Sequence, residues 1–312
     1  MSGTTTDPGG AVHPVGAAPS GTAGTAGTAG APTGGDPLAA LRAAAKARTE
    51  ARAASKAAHA ARRTENARPR RSAEELRAIV ERGQAELHGR GTPGALDGDH
   101  PEATAEQVVA WAVREFGDAI AVACSMADAV LPHVVAQQAP WVDVLFLETG
   151  YHFPETSGTR DAVEQQMEVT IVDVLPQLTV AQQDAAHGKD LWSRDPAACC
   201  AMRKVEPLTR TLGEYEVWVT GVRRDEAPTR TNTPLVTWDE KNGLVKINPL
   251  AAWSFDDLLG YAADHQVILN PLLNDGYPSI GCAPCTRRVA PGEDPRAGRW
   301  AGLDKTECGL HV

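Results

Sequence analysis

Ala119-Ile120-Ala121-Val122-Ala123-Cys124-Ser125-Met126-Ala127-Asp128 opens with five apolar residues and ends in a short polar loop. An unbroken apolar run of this length, with no alternation, suits a strand buried on both faces. Asp128–Gln138 then reads as a helix, so the segment is a strand, a loop and a helix start. The same pattern recurs downstream. Val142-Asp143-Val144-Leu145-Phe146-Leu147, Val169-Thr170-Ile171-Val172-Asp173-Val174 and Val217-Trp218-Val219-Thr220-Gly221 read as three further strands. Thr159–Glu168, Thr179–His187 and Met202–Leu212 read as helices among them. Strand and helix in alternation predict an α/β fold, a mainly parallel sheet with helices on both faces. Ligands bind such sheets beyond the carboxyl ends of the strands. Cys124-Ser125-Met126-Ala127-Asp128, Glu148-Thr149-Gly150 and Gly221-Val222-Arg223-Arg224 fall at three of those ends. Ser125 could face a phosphate there, although a serine N-cap would look the same.

Outward from this segment the chain divides unevenly. Residues 1 to about 37 are a Gly/Ala/Thr/Pro tract with a Thr-Ala-Gly repeat, lacking the large apolar side chains that offset chain entropy, and read as disordered. From about Leu38 to Arg90 the composition turns to Ala, Arg, Lys and Glu, which reads as a marginal or partner-dependent helix. Gly89-Arg90-Gly91-Thr92-Pro93-Gly94 follows as a linker, so the expected division is a 1–94 extension and a folded domain over 95–312. Before residue 95 there are 13 Lys/Arg against 8 Asp/Glu, a net of +5; the whole chain is −10, so the remainder carries −15. An acidic domain argues against broad polyanion binding, and nucleic acid is not an expected partner. No apolar run is long enough to span a membrane and none resembles a signal peptide, which with grouped cysteines points to the reducing cytoplasm.

The cysteines carry the chemistry. Cys199-Cys200 and Cys282-Ala283-Pro284-Cys285 are two tight pairs about 80 residues apart. Neighbouring Cα atoms are about 3.8 Å apart, too close for ordinary disulfide geometry. Cys199 and Cys200 must therefore reach outward, and the four thiols suit zinc or an iron–sulfur cluster comparably. Cys308 has no such partner. In Glu307-Cys308-Gly309-Leu310-His311, near the C-terminus, it is a candidate nucleophile. Cys124 reads as a buried strand-end thiol, and Trp192, Trp218 and Trp253 as core.

Several longer stretches complete a pattern: Leu147-Glu148-Thr149-Gly150-Tyr151-His152-Phe153-Pro154-Glu155-Thr156, Cys199-Cys200-Ala201-Met202-Arg203-Lys204-Val205-Glu206-Pro207-Leu208, Ile280-Gly281-Cys282-Ala283-Pro284-Cys285-Thr286, Gly298-Arg299-Trp300 and Lys305-Thr306-Glu307-Cys308-Gly309-Leu310-His311. With these, the chain from about residue 105 to 312 resembles the assimilatory adenylylsulfate reductases, sulfonucleotide reductases of the adenine nucleotide α-hydrolase-like (PP-loop) superfamily. The resemblance implies that fold, with a catalytic tail over about 286–312. It implies one [4Fe-4S] cluster on Cys199, Cys200, Cys282 and Cys285, and a nucleophilic Cys308. Lys204, Arg230, Arg296 and Arg299 would form the anion-binding set. Ser125, the backbones of Leu147 and Gly221, and His311 would also contact substrate. The implied reaction, in sulfate assimilation, reduces adenylylsulfate to sulfite and AMP through an S-sulfocysteine that thioredoxin resolves. Relatives specialised for the 3′-phosphorylated nucleotide lack the cysteine pairs. The chain departs from the family in its phosphate loop, where Cys124 stands in place of a small hydroxyl residue.

Three other readings compete: a 3′-phosphoadenylylsulfate reductase, a cluster-containing PP-loop enzyme that thiolates tRNA, and a zinc-stabilised binding module. The second normally carries a Ser-Gly-Gly-x-Asp-Ser loop, absent here. The third leaves Cys308 and the strand-end motifs unexplained. A homo-oligomer is left open by the sequence.

Overall fold

The computed structural model describes residues 37–66, 68–90, 92–93, 100–302, 305 and 307–310. Two compact units divide the chain at Thr49. Of the first, the described part is the beginning of α1 (Pro37–Glu65), where Leu38 and Leu41 are exposed. The second unit, Glu50–Val312, holds all the other elements.

Its centre is a six-stranded sheet in the order β3-β2-β1-β4-β6-β5. The strands are β1 (Ile120–Ala123), β2 (Val142–Leu147), β3 (Val169–Val174), β4 (Val217–Thr220), β5 (Val236–Asp239) and β6 (Leu244–Ile247). All neighbours pair in parallel except β5 and β6. The four strands read from the sequence are therefore present and parallel. The β5–β6 hairpin was not anticipated.

Side-chain alternation along the strands fills two cores. Ile120, Val122, Val144, Phe146, Val217, Val219, Val245 and Ile247 face one side, and Ala121, Leu145, Trp218 and Leu244 the other. The first side is covered by α2 (Ala73–Leu87), α3 (Ala105–Phe116), α4 (Val130–Ala136) and α10 (Phe255–Asp264), with Val163 of α5 (Pro154–Gln166). Between β3 and β4 lie α6 (Val180–His187), α7 (Leu191–Arg194), α8 (Pro196–Cys200), a π-helical turn Ala201–Val205 and α9 (Glu206–Leu212). Leu208 and Leu212 of α9 pack on the second side. Thr104, Thr179 and Ser254 each close a reciprocal capping box that fixes the start of its helix.

Helix α2 corrects the expected start of the folded region near residue 95. Leu76, Ile79, Val80 and Leu87 form an apolar stripe buried in the main core. The helix starts on a Ser72–Glu75 capping box. A Cβ at Gly83 would lie 2.4 Å from Trp111, so the glycine lets α2 and α3 approach closely. Just upstream, Arg71 and Arg68 pair with the buried carboxylate of Glu216, Arg71 at 2.7 Å. The second half of α1 is also tied to the unit. Ser55 accepts a hydrogen bond from Trp141 Nε1 at 3.0 Å, and Arg63 pairs with the buried Asp143, which also accepts from Tyr215. Among the described residues, no helix is long and apolar enough to cross a membrane.

Candidate active site

The chain leaves β1 on one side of the sheet's centre and returns to β4 on the other, so the loops after β1 and β4 flank a crevice at the switch point. The loop after β1 is held in an unusual shape. Met126 adopts a left-handed conformation at φ 59°, costing about 1–2 kcal/mol for a non-glycine residue, and its side chain is fully buried in compensation. Asn270 braces the same loop by donating to the Met126 carbonyl at 3.0 Å. Cys124 Sγ lies 3.3 Å from the Asp128 carbonyl, and burial pushes its thiol up to about 12, the properties of a structural thiol. Burial likewise raises the Asp128 carboxyl, even though it accepts from the Val130 N–H and lies near Arg223.

At this end of the sheet a cavity of about 250 Å³ opens. It brings together Ser125, Leu147, Lys204, Gly221, Arg230, Arg296, Arg299 and Cys308, eight positions picked out in the sequence and spread over 184 positions of chain. His311 lies outside the described residues. Leu147 serves locally as well, since His152 Nε2 lies 2.9 Å from its carbonyl while the His152 ring stacks on Phe146. Trp218, expected in the core, is fully buried and also forms part of the cavity floor.

Lys204 and Arg299 face the sulfur atoms. Burial works against the Lys204 ammonium, yet Cys282, Cys308 and Cys200 together hold it above its ordinary range despite Arg299. Burial and the adjacent Arg296 pull Arg299 down, with Cys308 and Cys282 acting the other way. Arg299 is fixed by bonds from Nη1 to Ser279 Oγ and the Ile280 carbonyl, while its Nε is buried without a hydrogen-bond partner. A buried donor in that state marks a place for an acceptor from a ligand. Gly281 makes room for it: a Cβ there would lie 2.5 Å from Arg299 Nη2.

The local backbone explains how Lys204 reaches this point. Pro207 has no N–H to give the Arg203 carbonyl and its ring crowds that group, so the preceding turn widens to the π form instead of continuing α8. The helix expected over Met202–Leu212 is thus present, with its first residues in the π turn that runs on into α9. Arg203 turns the other way and is buried, hydrogen-bonding Thr149 O, Leu178 O and Gln183.

Cys199, Cys200, Cys282 and Cys285 line one small void of about 20 Å³, walled by Tyr151, Trp192 and Trp300. Trp192 is therefore beside the thiols and only half-buried. Burial, with the charges of the other three, pushes Cys199 up to about 11. Burial and Cys282 do the same for Cys285, to about 11. Cys282 differs: burial acts upward, but Lys204, Thr149 at 3.4 Å and Arg299 outweigh it and hold the thiol below its ordinary range. Four thiols that disfavour one another's ionisation are a donor set that a cationic metal group would relieve. Among the described residues no three His, Cys, Asp or Glu side chains converge as the ligands of a single ion do.

Several contributors were not singled out from sequence. Glu307 bonds Arg230 through both oxygens and lies 3.2 Å from Arg296. Glu226 holds Arg230 from the other side, and Arg223 lines the cavity. The only cue for Glu307 was its place beside Cys308; Arg223 stood in the strand-end motif Gly221-Val222-Arg223-Arg224, and Glu226 carried no cue.

The arrangement is an α/β crevice beyond the carboxyl ends of the strands, lined by cations and thiols. The profile of the phosphoadenosine phosphosulfate reductase domain matches residues 119–288. Adenosine 5′-phosphosulfate reductase of Streptomyces coelicolor is 55% identical over 241 residues, covering 77% of this chain and 97% of the relative. The protein of that name from Mycolicibacterium smegmatis is 55% identical over 238 residues, covering 76% and 95%. Its counterpart in Mycobacterium tuberculosis is 50% identical over 255 residues, covering 76% and 95%. Among solved structures, phosphoadenylyl-sulfate reductase of Candida auris, in a phosphate complex, superposes with a TM-score of 0.50 at 28% identity, covering 58% of this chain and 89% of that one. The chain belongs to the phosphoadenosine phosphosulfate reductase family.

Proposed function

We propose that the protein reduces adenylylsulfate to sulfite and AMP in sulfate assimilation, with Cys308 as nucleophile and thioredoxin as reductant. The observation that carries the reading is the placement of Cys308. It lines the same cavity as the loops after β1, β2 and β4, beside Lys204 and Arg299, on the edge of the four-thiol set. Curated relatives at 50–55% identity bear the corresponding name.

The nucleotide would lie against Ser125 and the Leu147 and Gly221 backbones, with its phosphate and sulfate toward Lys204 and the arginines. The Cys308 thiolate attacks the sulfate sulfur. An S–S bond forms, the S–O bond to phosphate breaks, and AMP leaves with the electron pair. A thiolate of reduced thioredoxin then attacks Cys308 Sγ and sulfite departs. The second thioredoxin thiol resolves the mixed disulfide, so sulfur is reduced while the dithiol becomes a disulfide. Dividing the transfer in two is the usual gain of covalent catalysis. Cations beside the thiol and the leaving phosphate favour charge where it is needed.

Cys199, Cys200, Cys282 and Cys285 would hold a [4Fe-4S] cluster, whose thiolate-ligated iron supplies a structural and electrostatic centre. Lys204 stands between that set and Cys308. The grouped, unpaired thiols also support a cytoplasmic setting.

Anaerobically prepared wild type given adenylylsulfate without thioredoxin should gain a sulfonate adduct on the Cys308 peptide, and reduced thioredoxin should remove it with release of sulfite. Cys308→Ser should form neither, since a hydroxyl supplies almost no oxyanion at neutral pH. An adduct on Cys124, or normal turnover by Cys308→Ser, would overturn the assignment. Assays with the 3′-phosphorylated nucleotide run in parallel should give the lower kcat/KM.

A further inference from the structure

The four cations of the cavity picked out in the sequence do not act as one set. Lys204 and Arg299 face Cys282 and Cys308, and Arg299 keeps a buried, unpartnered Nε. Arg230 and Arg296 face the tail instead. Arg230 donates from Nε to Glu307 Oε1 at 3.1 Å and from Nη2 to Oε2 at 2.9 Å, a two-pronged fork. Arg296 Nη2 lies 3.2 Å from Oε2, and Thr229 Oγ1 adds a bond at 3.3 Å. The Glu307, Arg230 and Arg296 side chains are only 13%, 12% and 17% exposed, so this is a desolvated contact. Burial alone would raise the Glu307 carboxyl, but the two arginines hold it below the usual range.

Glu307 immediately precedes Cys308, and two further anchors follow it. Lys241 Nζ donates to the Gly309 carbonyl at 2.7 Å, and Leu310 packs against the core formed by Ala121, Leu145 and Trp218. Cys308 is thus held from both sides in the cavity.

We propose that Glu307 is a positioning residue: its carboxylate, forked to Arg230 and bridged to Arg296, docks the tail so that Cys308 sits between Lys204 and Arg299. Two of the four cations expected to bind the substrate anion are therefore engaged by the protein's own carboxylate when the tail is docked. An anion arriving at Arg230 meets a guanidinium already bonded to Glu307 on one edge and Glu226 on the other. Substrate is left the open donor of Arg299 together with Lys204. Undocking of Glu307 exposes Cys308, as exchange with a protein thiol requires.

The proposal rests on Cys308 being the nucleophile, but its first readout does not need the reaction. Iodoacetamide labelling of the Cys308 peptide, followed by mass spectrometry in cluster-loaded full-length protein, reports docking directly. Glu307→Gln keeps the size but loses the charge and one acceptor, so labelling should accelerate about tenfold. In single turnover with adenylylsulfate, adduct formation should slow by a similar factor. AMP should bind the variant as well as wild type or more tightly, because the arginines are relieved of a competing carboxylate. Unchanged labelling would overturn the proposal. So would AMP affinity falling in step with the adduct rate, the mark of general damage to the site. Failure of wild type to form any adduct would instead reject the reading of Cys308 and leave the labelling result to stand for docking.

Discussion

A chain beginning at Leu96 should not fold, whereas one beginning at Glu50 should match the full-length protein. The first cut deletes α2 and with it Leu76, Ile79, Val80 and Leu87, each at most 5% exposed. Fully burying such a side chain contributes about 1.5–3 kcal/mol, so four contribute roughly 6–12 kcal/mol. The figure is an upper bound, because the unfolded chain buries part of this surface already. The cut also removes Arg68 and Arg71, leaving the Glu216 carboxylate buried without its partners. Breaking one side of a buried pair costs about 3–5 kcal/mol. Either loss is comparable with the whole stability of a domain, about 5–15 kcal/mol. The cut at Glu50 removes none of these contacts and keeps Arg52, Ser55 and Arg63. Soluble yield and thermal unfolding of the two truncated chains beside wild type decide the matter. A chain from Leu96 that melts cooperatively within a few degrees of wild type would show that the packing of α2 contributes far less than its burial implies. A cut at Arg68 tests the second half of α1, since it leaves Asp143 buried with Tyr215 alone; it should fold with a lower Tm.

Three further outcomes follow from the site and its supports. Cys199→Ser should lose iron and acid-labile sulfide together, because a hydroxyl is a poor ligand for soft metal centres; stoichiometric zinc without sulfide in anaerobically prepared wild type would refute the cluster. Gly281→Ala should displace Arg299, whose Nη2 would lie 2.5 Å from the new Cβ, lowering kcat/KM for adenylylsulfate at least tenfold while Tm changes little; an unaltered rate would show that Arg299 is not held for substrate. Glu216 gives a pH signature: burial raises its carboxyl, but Arg71 and Arg68 outweigh this and hold it below the unfolded value, so its contribution is complete above about pH 4.5 and is lost as pH falls through the folded value. Glu216→Gln should therefore melt well below wild type at pH 7, with the gap closing toward pH 3; a constant gap would sink the linkage.

The parts of the fold visible in the sequence were those where one residue type repeats against a single physical demand. Strands buried on both faces must be predominantly apolar, and Ile120–Ala123 and Val142–Leu147, despite the paired Asp143, could be read directly. The four paired thiols could be read because few other uses put cysteines together. Helix α2 was read within a marginal helix outside the folded domain because its four large apolar residues lie among Glu, Arg and Gln, and Gly83 in its middle looks like a breaker until Trp111 is seen against it. The β5–β6 hairpin did carry a signal, Asn242-Gly243 between Val236-Thr237-Trp238-Asp239 and Leu244-Val245-Lys246-Ile247. Glu307 could not be found this way. A carboxylate beside a cysteine says nothing of two arginines 77 and 11 positions away in the chain, and only the fold brings them together.

The distribution of cations follows from the demands of the proposed chemistry. A thiolate that attacks an anion must be brought up to like charge, so it needs counter-charge that the substrate does not wholly consume. Lys204 meets that need from the π turn, where Pro207 fixes the backbone, and feels Cys282, Cys200 and Cys308 at once. In the proposed reaction the same thiolate would later leave the cavity to meet its protein reductant, so its tether would have to be firm but reversible. A single buried carboxylate on two arginines has that character: a charge-assisted fork holds strongly when closed, yet all three groups are well solvated once apart. An apolar anchor alone would give no preference for the docked register, and a covalent one would forbid release. Placing the carboxylate next to the proposed nucleophile couples the two demands on that side of Cys308, while Lys241 and Leu310 hold the other.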